Sequence, residues 1–181
     1  MLTLCVEEAR PMLERGGILA YPTEAVYGLG CDPFNQTAIE SIHALKGREA
    51  DKGFIVLIAE WKQLFPLIAP VSEKQLATVR ATWPGFVTWV FPREPSLPEW
   101  ISGKKNSIAI RMSAHPIAQA LSASAPIIST SANLSGHPPA TTIEQLLHQF
   151  PTGIDALVQG TLGGLNQPSP IYDVLSGKQL R

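Results

Sequence analysis

Charge is scarce in this 181-residue chain. Only 16% of its residues are Asp, Glu, Lys or Arg, 45% are hydrophobic, and the formal net charge is −1. Disorder needs the reverse balance, so a compact globular protein is expected. With no excess of either sign, a protein that coats nucleic acid electrostatically is disfavoured, although a local basic cleft stays open. Cysteine is scarcer still. Cys5 and Cys31 stand far apart, no CxxC and no Cys/His pair at zinc-ligand spacing occurs, and His43, His115, His137 and His148 are scattered. No metal site built from side chains is expected, and the thiols read as reduced in a cytoplasmic protein. The N-terminus MLTLCVEEARPMLERGG lacks a basic segment followed by an apolar run, so no signal peptide is expected. No apolar run approaches the roughly 20 residues of a membrane span. The length suits one domain, residues 1–181, with a real core.

Several catalytic motifs are missing too. SGKK (102–105) and SGKQ (176–179) lack the first glycine of a Walker loop. GLGCDP (28–33) opens like a dinucleotide fingerprint but carries Pro33 in place of the third glycine. There is no GxSxG, which argues against an α/β-hydrolase nucleophile.

What is present alternates helical and strand patterns. Helices are expected over 4–15 (Thr3 as a possible cap, Pro11 a weak point), 36–46, 60–68, 72–82 and around Ile117–Ser124 with Pro116 in the first turn. A last helix bears Ile143, Leu146, Leu147 and Phe150 on one face, capped by Thr141 and Glu144. Strands are expected at GILAY (17–21), FIVLIA (54–59), VTWVF (87–91), SIAIR (107–111) and PIIS (126–129), with short ones over 155–158, 171–174 and 178–181. Strands 87–91 and 107–111 have no helix between them, so part of the sheet reads as antiparallel. The fold class is α/β, one sheet of mixed direction flanked by helices.

Four polar clusters lie at predicted strand or helix ends. PTEAVYG carries Thr23, Glu24 and Tyr27; LKGREADKG carries Lys46, Arg48 and Lys52; Arg111 closes SIAIR; STSANLSG carries Ser129, Ser131 and Asn133. Each alone is more often structural. Lys46, for example, is an ordinary helix C-terminal cation, expected to be largely solvated and cheap to replace. Together, cations, hydroxyls and an amide suit a polyanion such as a nucleoside triphosphate.

These stretches, together with WPGFVT, IAIRMSAHP and the closing GKQLR, resemble in order the YrdC/TsaC family of L-threonylcarbamoyladenylate synthases. The resemblance runs from about residue 7 to 181 and matches the short bacterial form. It implies a twisted mixed sheet with a deep concave cleft. It also implies the reaction of L-threonine, bicarbonate and ATP to threonylcarbamoyl-AMP and pyrophosphate, serving modification of adenosine 37 in tRNAs that read codons starting with A. Thr23 and Tyr27 match the motif against the threonine moiety. Lys46 and Arg48 match the pair that contacts the phosphates, with Lys52 as a possible addition. Arg111 matches an arginine near threonine's carboxylate and the phosphates. Ser129, Ser131, Asn133 and Arg181 match positions facing the nucleotide. The implied cofactor is Mg²⁺, held mainly through ATP phosphates. The implied partners are TsaB, TsaD and TsaE types, with a possible tRNA or double-stranded RNA contact.

The chain departs from the family pattern at Glu49, at Lys52-Gly53-Phe54 and at Pro168-Ser169-Pro170-Ile171. Two rivals stand beside this reading. One is a non-catalytic module for double-stranded RNA or a ribosomal precursor. The other is the carbamoyl-transfer chemistry of hydrogenase maturation proteins, which are longer and carry cysteine pairs absent here.

Overall fold

The computed structural model describes residues 1–49 and 51–181; Ala50, inside the LKGREADKG stretch, lies outside the described residues. The chain opens with β1 (Leu2–Leu4), α1 (Val6–Glu14), β2 (Leu19–Pro22) and β3 (Tyr27–Gly30). Next come α2 (Gln36–Lys46), β4 (Ile55–Ile58), two 3-10 turns (Trp61–Gln63 and Phe65–Leu67) and α3 (Glu73–Arg80). β5 (Thr88–Pro92), α4 (Glu99–Ser102), β6 (Ser107–Met112), α5 (Pro116–Ser122) and β7 (Ile127–Ser131) follow. The chain closes with α6 (Ile143–Gln149), β8 (Ala156–Val158) and β9 (Ile171–Asp173).

Among the described residues, nine strands join one sheet in the order β1-β8-β2-β3-β7-β4-β6-β5-β9. Its direction is mixed, as expected. β4 pairs parallel to β6, whereas β7 pairs antiparallel to both β3 and β4, and β5 antiparallel to β6. The alternation of β4 explains its unbroken apolar run. Val56 and Ile58 pack with α2 and α3 residues Ile39, Ile42, Leu76 and Val79, while Leu57 packs on the other face with Ala118 and Leu121 of α5 and Ala9 and Leu13 of α1. The open part of that second face forms the floor of a cleft.

Several expectations need correction. Thr3 lies in β1; Cys5 is the α1 N-cap, its N–H donating to Glu8. Helix α1 runs through Pro11 because Ala9 and Leu13 are anchored in the core, which outweighs one lost backbone bond. Residues 60–68 make only 3-10 turns. The α6 cap is Thr142, whose Oγ1 accepts from Gln145 N, in place of the Thr141/Glu144 box. That shift leaves Ile143 and Leu147 exposed and buries only Leu146 and Phe150 of the four expected positions. Residues 178–181 form no full strand. One bridge, Tyr172 to Gln179, and a Leu180 N–H donated to Ile171 O tie them to β9.

The strand missed in YPTEAVYGLGCD is β3, a neighbour of both β2 and β7. Glycine hides it, since Gly is depleted in strands. A Cβ on Gly30 would sit 2.5 Å from Ile128 O and 2.9 Å from the Tyr21 ring, so glycine is what lets β7 and Tyr21 close in here.

Candidate active site

The register of the central strands builds the cleft floor. Ser129 of β7 lies opposite Ile55 of β4, Ile55 opposite Ala109 of β6, and Ala109 opposite Val90 of β5. All four line one cavity of about 740 Å³, within the usual range for small-molecule sites. Along β6, Ser107, Ala109 and Arg111 alternate onto the same wall. Ser107 and Arg111 therefore stand roughly 13 Å apart along the strand. Arg48, Lys105, Arg111 and Arg181 all line the cavity, and none of its lining residues is Asp or Glu. Such a wall selects anions.

Each cation is aimed by local structure. Helix α2 starts at Asn35, whose side chain accepts from Ala38 N, and ends at Gly47 in the left-handed region at φ 58°. The Gly47 and Arg48 N–H groups return to Ala44 O and His43 O, a turn that a residue with a Cβ enters only under strain. It sends Arg48 back across the sheet. Its guanidinium donates to Gly53 O at 2.6 Å and to Thr130 Oγ1 at 3.3 Å, and stacks 4.9 Å from the Phe54 ring. At the other end, Arg181 donates through Nε and Nη2 to Ser169 O. Burial, and after it the Arg111 charge, push Arg181 down from its ordinary value, although a guanidinium stays charged.

Arg111 itself is 6% exposed, with its Nη2 3.3 Å from Glu24 Oε2 and its guanidinium 5.5 Å from the Phe86 ring.

STSAN lies within and just after a strand, not beyond its end. Ser129, Thr130 and Ser131 belong to β7 and line the cleft. Ser129 Oγ accepts from the buried Tyr21 hydroxyl at 2.8 Å, which leaves the Ser129 proton free to point elsewhere. Thr23 also lines the cleft, but its hydroxyl donates to Val26 O at 2.7 Å to close the β2–β3 hairpin. The Thr23 hydroxyl therefore has only acceptor capacity left on the cleft side.

Four sequence expectations do not reach the cleft wall. Lys46 is only 4% exposed, which overturns the solvated reading. Its amine donates to the main-chain oxygens of Ser131 and Asn133 and fastens the end of α2 to the end of β7. Burial, then the Arg48 charge, lower it to about 8. Asn133 serves the same joint: Oδ1 accepts from Ser131 Oγ at 2.6 Å, and Nδ2 donates to Leu134 O and His137 O. Tyr27 packs among Ala132, Ala140, Leu146 and Phe150, because on β3 it points to the α6 side. Lys52 is exposed and pairs with Glu49 at 3.2 Å. In its place the cleft takes Lys105, whose neighbour Lys104 is tied to Asp51. Lys105 and Tyr21 carried no distinguishing sequence signal: one is a rim lysine, the other an aromatic in a strand.

A divalent ion would find few protein ligands here. Among the described residues no group of three or more His, Cys, Asp or Glu is placed to hold a metal, and the cleft lining has no carboxylate. The donor set does not fit a resident Mg²⁺ site.

A family model described as Telomere recombination, for Sua5, YciO and YrdC, matches residues 11–181. The chain belongs to the Sua5/YciO/YrdC family. The resemblance read from PTEAVYG and STSANLSG is thus borne out. A threonylcarbamoyl-AMP synthase of Coxiella burnetii (strain RSA 493 / Nine Mile phase I) is 46% identical over 181 residues, covering 99% of this chain and 97% of that protein. One from Halorhodospira halophila is 46% identical over 178 residues, covering 97% of this chain and 93% of that protein. Among solved structures, P. abyssi Sua5 complexed with L-threonine superposes with a TM-score of 0.89 at 30% identity. That match covers 98% of this chain and 55% of the Sua5 chain, so this member of the Sua5/YciO/YrdC family spans about half the length of that relative. No helix among the described residues is long and apolar enough to cross a membrane.

Proposed function

We propose that this chain makes L-threonylcarbamoyl-AMP from L-threonine, bicarbonate and ATP, releasing pyrophosphate. The observation that carries the reading is a small-molecule cleft lined, among the described residues, by four cationic side chains and no Asp or Glu, in a chain 46% identical to proteins named for this reaction. A volume of about 740 Å³ suits a nucleotide and an amino acid better than an RNA duplex, which disfavours the RNA-module alternative.

In this reading bicarbonate loses water to supply CO₂, and the threonine amine captures it as a carbamate, giving up a proton. A carbamate oxygen attacks the α-phosphorus of ATP, the bond to the bridging oxygen breaks, and pyrophosphate leaves. The attack is an adenylyl transfer, so the enzyme is a nucleotidyltransferase. Arg48 and Lys105 meet the growing phosphate charge at one end of the cleft, and Arg111 and Arg181 hold anionic groups at the other. The Thr23 hydroxyl accepts from threonine's hydroxyl, and Ser129, Thr130 and Ser131 orient the nucleotide. Lys46 and Asn133 act through the loop they brace. Any Mg²⁺ would be held by the ATP phosphates rather than by this chain and would screen their charge, and the product would pass to TsaB, TsaD and TsaE-type partners for tRNA modification. The site lies in the cytoplasm with its tRNA-modifying partners.

The direct test is pyrophosphate release, with mass spectrometry of the nucleotide product. Release is expected only with threonine and bicarbonate both present. Equal release with threonine omitted overturns the reading.

Arg181 supplies a second test. Terminal residues are usually dispensable, yet this one lines the cleft. Arg181→Ala is expected to weaken ATP binding about tenfold and Arg181→Lys less, since a lysine keeps the charge but loses the planar fork. Stability should move by less than about 0.5 kcal/mol. Calorimetry that returns the wild-type ATP dissociation constant for Arg181→Ala would remove Arg181 from the site.

A further inference from the structure

The chemistry above gives Glu24 no task, yet its side chain is only 10% exposed and is held from several sides. Oε1 accepts from Ser113 Oγ at 2.6 Å. That same Ser113 Oγ accepts from His115 N at 3.0 Å, at the start of α5, so its single proton is committed to Glu24. The backbone is pinned as well. Gly163 N donates to Thr23 O at 3.0 Å and Leu165 N to Glu24 O at 2.9 Å. A Cβ on Gly163 would lie 2.8 Å from Glu24 Cα, so only glycine permits this approach. Glu24 Oε2 then stands 3.3 Å from Arg111 Nη2.

The pair is not closed. Glu24 Oε2 and Arg111 Nε are both buried and have no hydrogen-bond partner. A core ion pair that served stability alone would pay for desolvation with full hydrogen bonding. Here the Nη2 contact with Glu24 is an ion pair without a hydrogen bond, on a side chain that lines the cleft and lies 5.5 Å from the Phe86 ring.

We infer that Glu24 and Ser113 are positioning residues that hold the Arg111 guanidinium on the cleft wall for the carboxylate of the amino-acid substrate. The inference rests on the functional reading above. Glu24 offsets the repulsion between Arg111 and the nearby Arg181, and it fixes Nη2 so that the rest of the guanidinium faces the ligand. Orientation of this kind lowers what substrate binding costs in side-chain ordering. The nucleotide depends on it less, because Arg48 is held by Gly53 O and Thr130 Oγ1 and not by Glu24.

The test is calorimetry of L-threonine and, separately, of ATP on the wild type, Ser113→Ala, Ser113→Thr and Glu24→Gln. Threonine binding is expected to weaken about tenfold or more in Ser113→Ala and Glu24→Gln and to recover in Ser113→Thr, while the ATP dissociation constant moves less than about twofold. Ser113→Ala leaves the ion pair in place and keeps the test open if Glu24→Gln folds poorly. Wild-type threonine affinity in Ser113→Ala, or equal losses for threonine and ATP, would overturn the assignment. A wild-type chain that binds ATP but not threonine would instead overturn the functional reading, and this assignment with it.

Discussion

Replacing Lys46 by methionine is expected to cost about 2–4 kcal/mol of stability and to cut turnover about 10²–10³-fold. The amine is buried and donates to Ser131 O and Asn133 O, so methionine leaves two carbonyls of the β7 end without their donor. Ser131 lines the cleft, and its hydroxyl donates to Asn133 Oδ1, so the damage spreads to the cleft wall. Methionine keeps an unbranched four-atom stem and lacks only the terminal amine, which separates the lost donor from a large packing defect. Chemical denaturation and pyrophosphate release measure the two effects. Wild-type stability with lost activity would show that the amine acts in the cleft and not as a brace.

The same residue has a pH signature. Its amine lies near 8 in the folded chain, below the ordinary 10.5, because burial and Arg48 disfavour the ammonium. Between these values the unfolded chain binds more protons than the folded one. Stability linked to Lys46 therefore rises with pH across that window and levels off above it. A neutral amine still has two protons for its two carbonyl partners, so the joint survives. The difference in denaturation midpoint between wild type and Lys46→Met should widen from pH 8 to about 10. A constant difference would refute the lowered value.

Arg111→Met is the second large effect. It leaves Glu24 buried beside an apolar side chain, which should cost about 3–5 kcal/mol. Threonine-dependent turnover should fall with it, through KM for threonine before KM for ATP. Folding and function can be separated in a double variant. Arg111→Met with Glu24→Gln removes the stranded charge, so much of the stability should return while threonine saturation stays lost. Activity that returned together with stability would reduce Arg111 to a structural role.

Much of the architecture could be read from local pattern. The buried run FIVLIA, the alternation of SIAIR and the cap-to-glycine span of α2 are set by residues within one element, and each appears where expected. The anion site was legible as composition: hydroxyls and cations gathered in short stretches among scarce charge. What one-dimensional spacing could not carry was side-chain direction. Tyr27 and Thr23 sit in one motif, but β3 pairing turns Tyr27 toward α6 while the hairpin turns Thr23 into the cleft. Lys46 and Arg48 are two residues apart, yet a left-handed Gly47 between them sends one behind the wall and the other onto it. Lys105 enters the cleft only because β6 carries Ser107, Ala109 and Arg111 along its edge. The sequence alone determined which chemical groups this chain can bring to a ligand. Tertiary structure decided which of them face it, because facing depends on strand register and turn handedness between residues far apart in the chain, such as Glu24 and Ser113.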